Sequence, residues 1–445
     1  MFDPTMEIEE GSTPSFVEQA EQQINDADVV TSDKKVSESL KKTNFAKLNI
    51  SDLSEFQIPS IAPVEGEYQF TVEQGHLKEA ILSTKMTSIT KNTPNPARLT
   101  LSKDKLRVST FNPSSFSEYI IPLLKPAENV QDGESIRFIF DHNILTKIAN
   151  TFTEDVIVMR VFPKQQLCKV IAGKTNLEIS IYPDSEFADF QGRLQSSVLK
   201  NKIYPETIRK AIQFIYPFSM RDDLKPNFSM IEIRDGMAVG GTTIALATVT
   251  SQFFKDTNLK IRYELLMGLE KVLQFFDSDN TYLFESETHY IIRDENVMCG
   301  FEKTPYTFLD INGILQAPRS TKTLLIPRDI LQNTLQKLSV VSVDRKLPVT
   351  ISYRGLNNDA TMTLMTQDST GKQSKDTISI AVKDSSTEPN TDEHTFKVTL
   401  NALLKAISNH DVPNIELFEI EGQAVLLEDI YEDNRYLTIL SIFND

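Results

Sequence analysis

Apolar and polar positions alternate along the chain in two patterns that recur together. A strand-like alternation of apolar residues occurs at Phe138-x-Phe140, Leu259-x-Ile261 and Phe396-x-Val398. A helical pattern follows each of them, with an apolar residue seven positions after the first residue of the strand end, at Leu145, Leu266 and Leu403. This recurrence predicts three copies of one strand-to-helix unit.

A second helix is predicted upstream of the first in every copy. Its apolar i,i+4 pairs are Leu77 with Ile81, Ile208 with Ile212, and Leu331 with Leu335. A shared marker closes the first two copies, 121 positions apart, as Phe187-Ala-Asp189-Phe190 and Phe308-Leu-Asp310-Ile311. Three repeats of about 125 residues account for these spacings.

Short apolar or alternating runs between the helices predict strands, among them Val156–Phe162 and Val170–Tyr182. Asp235-Gly236 predicts a hairpin turn. The expected fold class is therefore α+β, with two helices packed on antiparallel sheets in each repeat. Turn-forming and charged residues between the repeats predict domains at 66–192, 193–317 and 318–445.

Residues 1–65 have a different composition. They contain five Lys against thirteen Asp or Glu, a net charge of −8, and apolar residues are sparse in their first half. A segment of this kind buries too little apolar surface to order itself. We expect residues 1–65 to be a mostly disordered, acidic extension.

The overall composition excludes several classes of protein. The 445-residue chain has a net charge of −16, which does not favour nonspecific attraction of the whole surface to nucleic acid or to anionic membrane. No apolar run approaches the ~18 residues that span a bilayer. The acidic N-terminus is unlike a secretory signal, and two cysteines, Cys168 and Cys299, are too few for a disulfide framework. We expect a reduced, cytoplasmic chain that does not associate with membranes.

Sequence-local motifs of catalysis are missing. The five His residues show no metal-ligand spacing, and no nucleophile elbow, P-loop or kinase signature occurs. The glycine-containing stretch 237–246 lacks the Lys of a phosphate loop, so we interpret it as a turn between strands. We expect no enzymatic activity, no metal and no cofactor. An enzyme with a carboxylate site that has no local motif stays an alternative.

Basic residues recur on the predicted helices, or just beyond their ends, in all three repeats. A single Lys or Arg on a helix is usually part of a solvated face, and acidic residues share these helices. Recurrence at similar places favours a second interpretation, a basic surface that contacts phosphates without reading bases. The residues assigned to this surface are Lys78, Lys85, Lys91, Lys147, Arg209, Lys210, Arg221, Lys225, Lys271, Lys337 and Lys405.

Taken in order, these features resemble the β sliding clamp of bacterial DNA polymerase III. The segment Tyr68-Gln-Phe70-Thr-Val72-Glu73-x-x-His76-Leu77 is similar to the family's opening Phe-Thr-Val-Glu-x-x-x-Leu. The Phe-x-Asp markers are similar to the element that ends the family's first and second domains. Phe218-Ser-Met220 and Phe396-Lys-Val398 resemble later elements, so the resemblance spans residues 66–445.

Two segments depart from the family pattern. Val239-Gly-Gly-Thr-Thr-Ile-Ala245 stands where the family has Thr-Asp-Gly-His-Arg-Leu-Ala. Ile439-Leu-Ser-Ile-Phe443 stands where the family has Met-Pro-Met-Arg-Leu. Both segments belong to the family's pocket for partner peptides, so the resemblance implies a divergent clamp with altered peptide specificity. A bacteriophage-encoded clamp would fit this description.

The resemblance implies a head-to-tail homodimer that closes a six-domain ring around duplex DNA and holds it topologically, without sequence specificity. It implies a DNA polymerase and a clamp loader as protein partners. By analogy, candidates for the dimer interface are Lys103–Arg107 and the edge strands of the third domain. It also implies an apolar pocket for partner peptides between the second and third domains, for which plain core packing is the alternative. The residues assigned to this pocket are Phe228, Gly241, Thr242, Ile244, Leu265, Leu437 and Ile439.

The expected function is that of a DNA sliding clamp, a processivity factor that tethers a replicative polymerase. A structural or assembly protein of a virion, built from repeated domains, is the main alternative. It predicts no encirclement of DNA and no basic face, so topological retention on DNA separates the two hypotheses.

Overall fold

The computed structural model describes residues 60–61, 66–86, 96–182, 184, 190, 194, 196–341, 348–368, 370–386, 391–420 and 422–443. These residues all belong to one compact unit, Pro59–Asp445. The predicted extension, residues 1–65, lies outside the described residues except for strand β1 (Ser60–Ile61), which pairs in parallel with Glu134 and Ser135.

Three successive segments contain the regular elements. The first segment comprises β2 (Tyr68–Glu73), α1 (Gln74–Ser83), β3 (Pro96–Ser102), β4 (Lys105–Asn112), β5 (Ser115–Pro122), β6 (Lys125–Glu128), β7 (Glu134–Asp141), α2 (His142–Thr151), β8 (Val156–Phe162), β9 (Leu167–Ala172) and β10 (Thr175–Ser180). The second comprises β11 (Val198–Lys202), α3 (Pro205–Ile215), β12 (Met230–Arg234), β13 (Met237–Gly241), β14 (Ala245–Thr250), β15 (Leu259–Arg262), α4 (Tyr263–Leu273), β16 (Tyr282–Glu285), β17 (His289–Arg293) and β18 (Val297–Glu302).

A short helix, α5 (Asn312–Leu315), lies between the second and third segments. The third segment comprises β19 (Lys322–Pro327), α6 (Arg328–Val341), β20 (Pro348–Arg354), β21 (Asn357–Gln367), β22 (Gln373–Asp384), β23 (His394–Thr399), α7 (Leu400–Asn409), β24 (Asn414–Ile420), β25 (Ala424–Tyr431) and β26 (Asn434–Ser441).

All three segments have one order of elements: a strand, a helix, a run of strands, a second helix and three further strands. The predicted strand ends lie in β7, β15 and β23, and a helix begins directly after each of these strands. The α+β fold of three repeats, with two helices packed on antiparallel sheets in each, is thereby confirmed. The domain boundaries at 66–192, 193–317 and 318–445 stay a prediction.

The described strands form three sheets, and two of these sheets continue from one segment into the next. A nine-stranded sheet has the order β1-β7-β3-β4-β5-β18-β17-β16-β11, and a twelve-stranded sheet has the order β15-β12-β13-β14-β26-β25-β24-β19-β22-β21-β20-β23. The antiparallel pairs β5–β18 and β14–β26 make these two connections. A five-stranded sheet, β10-β9-β8-β2-β6, lies within the first segment.

Local sequence explains where individual elements begin and end. The Asp141 carboxylate accepts a hydrogen bond from the backbone N–H of Asn143 at 2.9 Å and so caps α2. Pro205 opens α3, where its fixed φ suits the first helical turn. The predicted hairpin turn at Asp235-Gly236 is confirmed, since both residues have positive φ between β12 and β13. The single strand predicted at Val170–Tyr182 is wrong, because Gly173, at φ +55°, turns the chain between β9 and β10.

Side chains of the twelve-stranded sheet alternate between its two faces and lie in two apolar clusters. In β26, Leu440 belongs to the main core beneath the helices, whereas Leu437 and Ile439 belong to a second cluster. Leu246 and Leu426 on β14 and β25 also belong to the second cluster. Because successive side chains of a strand point to opposite faces, the second cluster lies on the face of the sheet away from the helices.

Candidate functional site

The helices carry an excess of basic residues on an acidic chain. The six helices of ten or more residues among the described ranges hold eight Lys or Arg and five Asp or Glu, whereas the chain as a whole has a net charge of −16. The helices pack in pairs, α1 with α2, α3 with α4 and α6 with α7. Each pair buries most of its apolar residues in the core, and its basic residues lie mainly on the outer side of the helices.

Several of the predicted phosphate-contacting residues keep an uncompensated charge. They are exposed and form no ion pair within the described part of the chain; they are Lys78, Lys147, Lys225, Lys271, Lys337 and Lys405. Lys405 donates from Nζ to the carbonyl oxygen of Pro217 at 3.3 Å, a neutral acceptor that leaves its charge in place. Lys91 lies outside the described residues.

Lys85 and Lys271 are two cations held close to each other. Lys85 follows α1 and is half-buried, and Lys271 is exposed on α4. Burial, and next the nearby Lys271 ammonium, lower the pKa of Lys85. The approach of α4 to the end of α1 depends on Gly268, because a Cβ there would lie 2.6 Å from the Met86 carbonyl oxygen.

Other predicted residues of this surface are neutralised by acids of the same chain. Arg209 donates to Glu206 at 2.7 Å and lies 3.4 Å from Glu270. Lys210 pairs with Glu432 at 2.5 Å. A side-chain hydrogen bond to the carboxylate raises the pKa of Arg209 and of Lys210.

Arg221 also has an acidic neighbour, Asp223, at 3.2 Å, although both side chains are largely exposed. The structure therefore divides the predicted basic surface into compensated and uncompensated members. This division could not be seen in full in the sequence, because two of the four partner acids, Glu270 and Glu432, lie far from their basic partners along the chain.

Three of the predicted pocket residues lie together in the second apolar cluster. Phe228, Leu437 and Ile439 are buried there. The register of the sheet extends the group, since Gly241 pairs with Leu246 and Leu246 pairs with Ile439. These positions contact one another across strands of the second and third segments.

Thr242 and Ile244 form the turn that borders this cluster. The Ser441 N–H donates to the Ile244 carbonyl oxygen at 2.9 Å, which ties the turn to the end of β26. The Ile244 side chain is 45% exposed although it is fully apolar. Gly241 has φ +138°, and a Cβ there would lie 2.5 Å from the Leu246 Cα, so this turn requires glycine.

Leu265 lies apart from the other predicted pocket residues. It is buried on α4 within the main core. Since α4 packs on the opposite face of the sheet from the second cluster, Leu265 and Ile439 do not share a surface.

Sequence reasoning missed the segment that covers the second cluster. Phe308 and Ile311 are buried in the cluster, and the Phe308 ring meets Phe228 edge-on at 5.7 Å. The carboxylate of Glu232, 2% exposed, accepts a hydrogen bond from the Phe308 N–H at 2.6 Å. Arg234 lies 3.5 Å from this carboxylate. The sequence signal for this segment is the Phe308-Leu-Asp310-Ile311 marker, which by itself indicates a boundary between repeats.

Comparison with known proteins identifies the fold. No protein-family model and no curated protein sequence matches the chain. Among solved structures, the chain is similar to the DNA polymerase III β subunit of Thermotoga maritima, with a TM-score of 0.69 and 11% identity over 85% of this chain and 100% of that one.

Two further clamps give the same result. The DnaN sliding clamp of Pseudomonas aeruginosa bound to griselimycin has a TM-score of 0.68 and 13% identity over 85% of this chain and 100% of that chain. The β sliding clamp of Caulobacter crescentus has a TM-score of 0.68 and 12% identity over 86% of this chain and 100% of that chain. The chain thus has the fold of the bacterial DNA polymerase III β sliding clamps, and the resemblance inferred from sequence is confirmed for the fold. Within the described ranges, no helix has the length and apolar character needed to cross a bilayer.

Proposed function

We propose that this protein is a DNA sliding clamp, a non-enzymatic processivity factor that encircles duplex DNA and tethers a DNA polymerase in the cytoplasm. The clamp fold over 85% of the chain is the observation that supports this most strongly. The lysines on the helices add support, because an otherwise acidic protein gains a surface suited to phosphates. A clamp loader would open the ring on DNA.

A second copy of the chain would close the ring through two open strand edges. The last strands of the second and third segments, β18 and β26, pair with β5 and β14 of the preceding segment. The last strand of the first segment, β10, is an edge strand of its sheet. In the third segment, the strand equivalent to β5 and β14 is β22. Among the described strands, residues 373–380 of β22 pair only with β21, so the other side of this part of the strand is open.

Burial supports the same pairing. The strands β18 and β26 are almost entirely buried, whereas five of the six residues of β10 are exposed, including Leu177 at 42%. An exposed edge strand is a template for pairing with another chain. Pairing of β10 with β22 of a second copy would repeat the two connections that the chain already makes. The candidate Lys103–Arg107 fits less well, because β4 has strand neighbours on both sides.

The mass in solution tests this closure. The Ile181 N–H donates to the Gln166 carbonyl oxygen, so it points toward β9. The N–H groups of successive residues in an antiparallel strand point to alternate sides. The N–H of Glu178, three residues before Ile181, therefore points to the open side of β10. Light scattering across a concentration series should give about twice 50.4 kDa for the wild type and for Glu178→Gln. It should give 50.4 kDa for Glu178→Pro, which lacks that N–H.

Both substituted chains lose the ion pair of Glu178 with Lys169, so Glu178→Gln is the matched control. A dimeric Glu178→Pro protein would exclude β10 as the interface. A wild-type monomer at every concentration would exclude a ring that closes by itself.

Retention on circular DNA tests encirclement. The protein is incubated with a linearised plasmid, onto whose ends a closed ring can thread, and in one of two samples the plasmid is then ligated into a circle. Both samples are washed at high salt, which weakens phosphate contacts. A clamp should remain on the circular plasmid and slide off the ends of the linear plasmid. Equal loss from both DNAs would favour the alternative, a repeated-domain structural protein that does not encircle DNA.

We assign the partner-peptide pocket to the border of the second cluster, with Phe228, Gly241, Thr242, Ile244, Leu437 and Ile439 around it. The exposed apolar side chain of Ile244 offers a contact for an apolar peptide residue. Anisotropy of a fluorescent peptide bearing Leu and Phe should show at least tenfold weaker binding to Ile244→Asp. Ile430→Asp is the matched control, because Ile430 is 71% exposed on β25, away from this turn. Equal binding to both variants would remove this assignment.

A further inference from the structure

The uncompensated lysines do not occupy the same helix positions in the three segments. In the second helices, the buried residues Leu145, Leu266 and Leu403 occupy equivalent places. Two positions later, the first and third segments have exposed lysines, Lys147 and Lys405. The second segment has Gly268 at this position.

The packing of α4 explains this gap. A Cβ on Gly268 would lie 2.6 Å from the Met86 carbonyl oxygen and 3.1 Å from its Cα. Any larger residue would therefore have to displace the end of α1. The second segment uses the position for close approach of two helices and has no basic side chain there.

The first helices of the first and second segments also differ in whether an equivalent basic residue is paired with an acid. Lys78 and Arg209 follow the equivalent buried residues Leu77 and Ile208. Lys78 is exposed and forms no ion pair among the described residues, whereas Arg209 is paired with Glu206 and lies 3.4 Å from Glu270.

The neighbouring Lys210 is likewise held by Glu432, and its ammonium group lies 5.6 Å from the centre of the Tyr431 ring. A cation already balanced by a carboxylate releases little further free energy when a phosphate approaches, because that phosphate is repelled by the paired acid. The basic residues of α3 are therefore poor phosphate ligands.

We propose that the duplex is contacted through the uncompensated lysines only, and that Arg209 and Lys210 of the second segment take no part. This inference rests on the proposed clamp function and specifies which members of the basic surface carry it. The contacting set is the exposed lysines Lys78, Lys147, Lys225, Lys271, Lys337 and Lys405, together with the half-buried Lys85.

Lys85 and Lys271 give this set a further reason to bind an anion. Two neighbouring ammonium groups repel each other, and the lowered pKa of Lys85 reflects its burial and this repulsion. A phosphate between them would relieve the repulsion. The contacts would then come from all three segments, with Lys85 and Lys271 at the junction of the first two.

The salt dependence of DNA binding tests the inference. The full-length protein is titrated against a short fluorescent duplex at several salt concentrations, and the slope of log K against log salt is measured. Each phosphate contact contributes about 0.9 to that slope. Lys147→Gln with Lys405→Gln should therefore lower the slope by about 1.8.

The matched control removes two cations together with their partners. In the fourfold variant Glu206→Gln, Arg209→Gln, Lys210→Gln, Glu432→Gln, net charge is conserved and two basic residues are lost. We expect its slope to equal that of the wild type. A slope lowered as much as in the lysine variant, or an unchanged slope in the lysine variant, would overturn the inference.

Failure of the proposed function would look different. A wild-type protein that is lost equally from circular and linear plasmids would contradict encirclement, whatever the slopes of the variants. Circular dichroism spectra and melting curves of both variants check that each is folded. All of the substituted side chains are partly or fully exposed, so the fold should persist.

Discussion

Gly300 lies on β18 opposite Phe116 of β5, where the first and second segments share one sheet. A Cβ at Gly300 would lie 2.2 Å from the Cζ of Phe116, far inside van der Waals contact. The ring has little room to move away, because Phe190 stacks on it with ring centroids 4.6 Å apart and planes 13° apart. Gly300→Ala should therefore strain the connection between the two segments.

The expected cost follows from the size of the overlap. Inserting a methyl group into a well-packed site that cannot relax costs about 1–3 kcal/mol in the free energy of unfolding. Phe116→Leu removes the part of the ring that overlaps and should by itself cost on the order of 1 kcal/mol, since it loses the stacked pair. The double variant should be less destabilised than the sum, with a coupling of about 1–2 kcal/mol.

Urea unfolding followed by far-ultraviolet circular dichroism measures these differences, since the chain has no Trp whose fluorescence could report them. Amide hydrogen exchange along β5 and β18 shows whether the loss is local to this pair of strands. Costs that add to within about 0.5 kcal/mol in the double variant would refute the reasoning, because they would show that the introduced methyl group and the Phe116 ring do not compete for one space.

Three further predictions concern other parts of the fold. Burial lowers the pKa of His142 and of His410 to about 4. Below about pH 6.5 the unfolded chain therefore binds more protons than the folded chain. The free energy of unfolding should fall between about pH 6.5 and pH 4, by about 3 kcal/mol for each residue. Urea unfolding midpoints across that pH range measure this loss when they are compared with those of a variant in which both His residues are Gln. A titration of either imidazole near pH 6.5, followed by proton NMR, would contradict the prediction. Glu232→Gln keeps an acceptor oxygen but removes its charge, so it should weaken the hydrogen bond to the Phe308 N–H and cost about 1 kcal/mol. Hydrogen exchange at that amide is the readout, and unchanged protection would count against this hydrogen bond as an anchor of the segment. Gly241→Ala should lower the melting temperature by several degrees, because φ +138° and the nearby Leu246 Cα both oppose a Cβ; an unchanged melting curve would show that the turn does not require glycine.

The repeat architecture was accessible from the sequence because it depends on short-range patterns. A strand that alternates and a helix with i,i+4 apolar pairs need only their own residues to be recognised. The buried positions Leu145, Leu266 and Leu403 were therefore predicted correctly in all three repeats. The same local rule failed at Gly173, where one turn residue divides an apolar run into two strands.

The candidate pocket was only partly accessible. Phe228, Leu437 and Ile439 were assigned by resemblance and lie in one cluster, whereas Leu265 lies in the other core. The segment after β18 that covers the cluster has no periodic pattern of its own. It is held by the buried Glu232, which lies 76 positions away from its partner Phe308.

The sequence by itself determined that this is an α+β chain of three repeats with basic residues on its helices, because each of these properties is repeated in local stretches of residues. Only the tertiary structure decided which of the basic residues remain available to a phosphate. Arg209 meets Glu270 from 61 positions away, and Lys210 meets Glu432 from 222 positions away. Charge compensation depends on distances of a few ångströms in space, and folding alone brings such distant residues together.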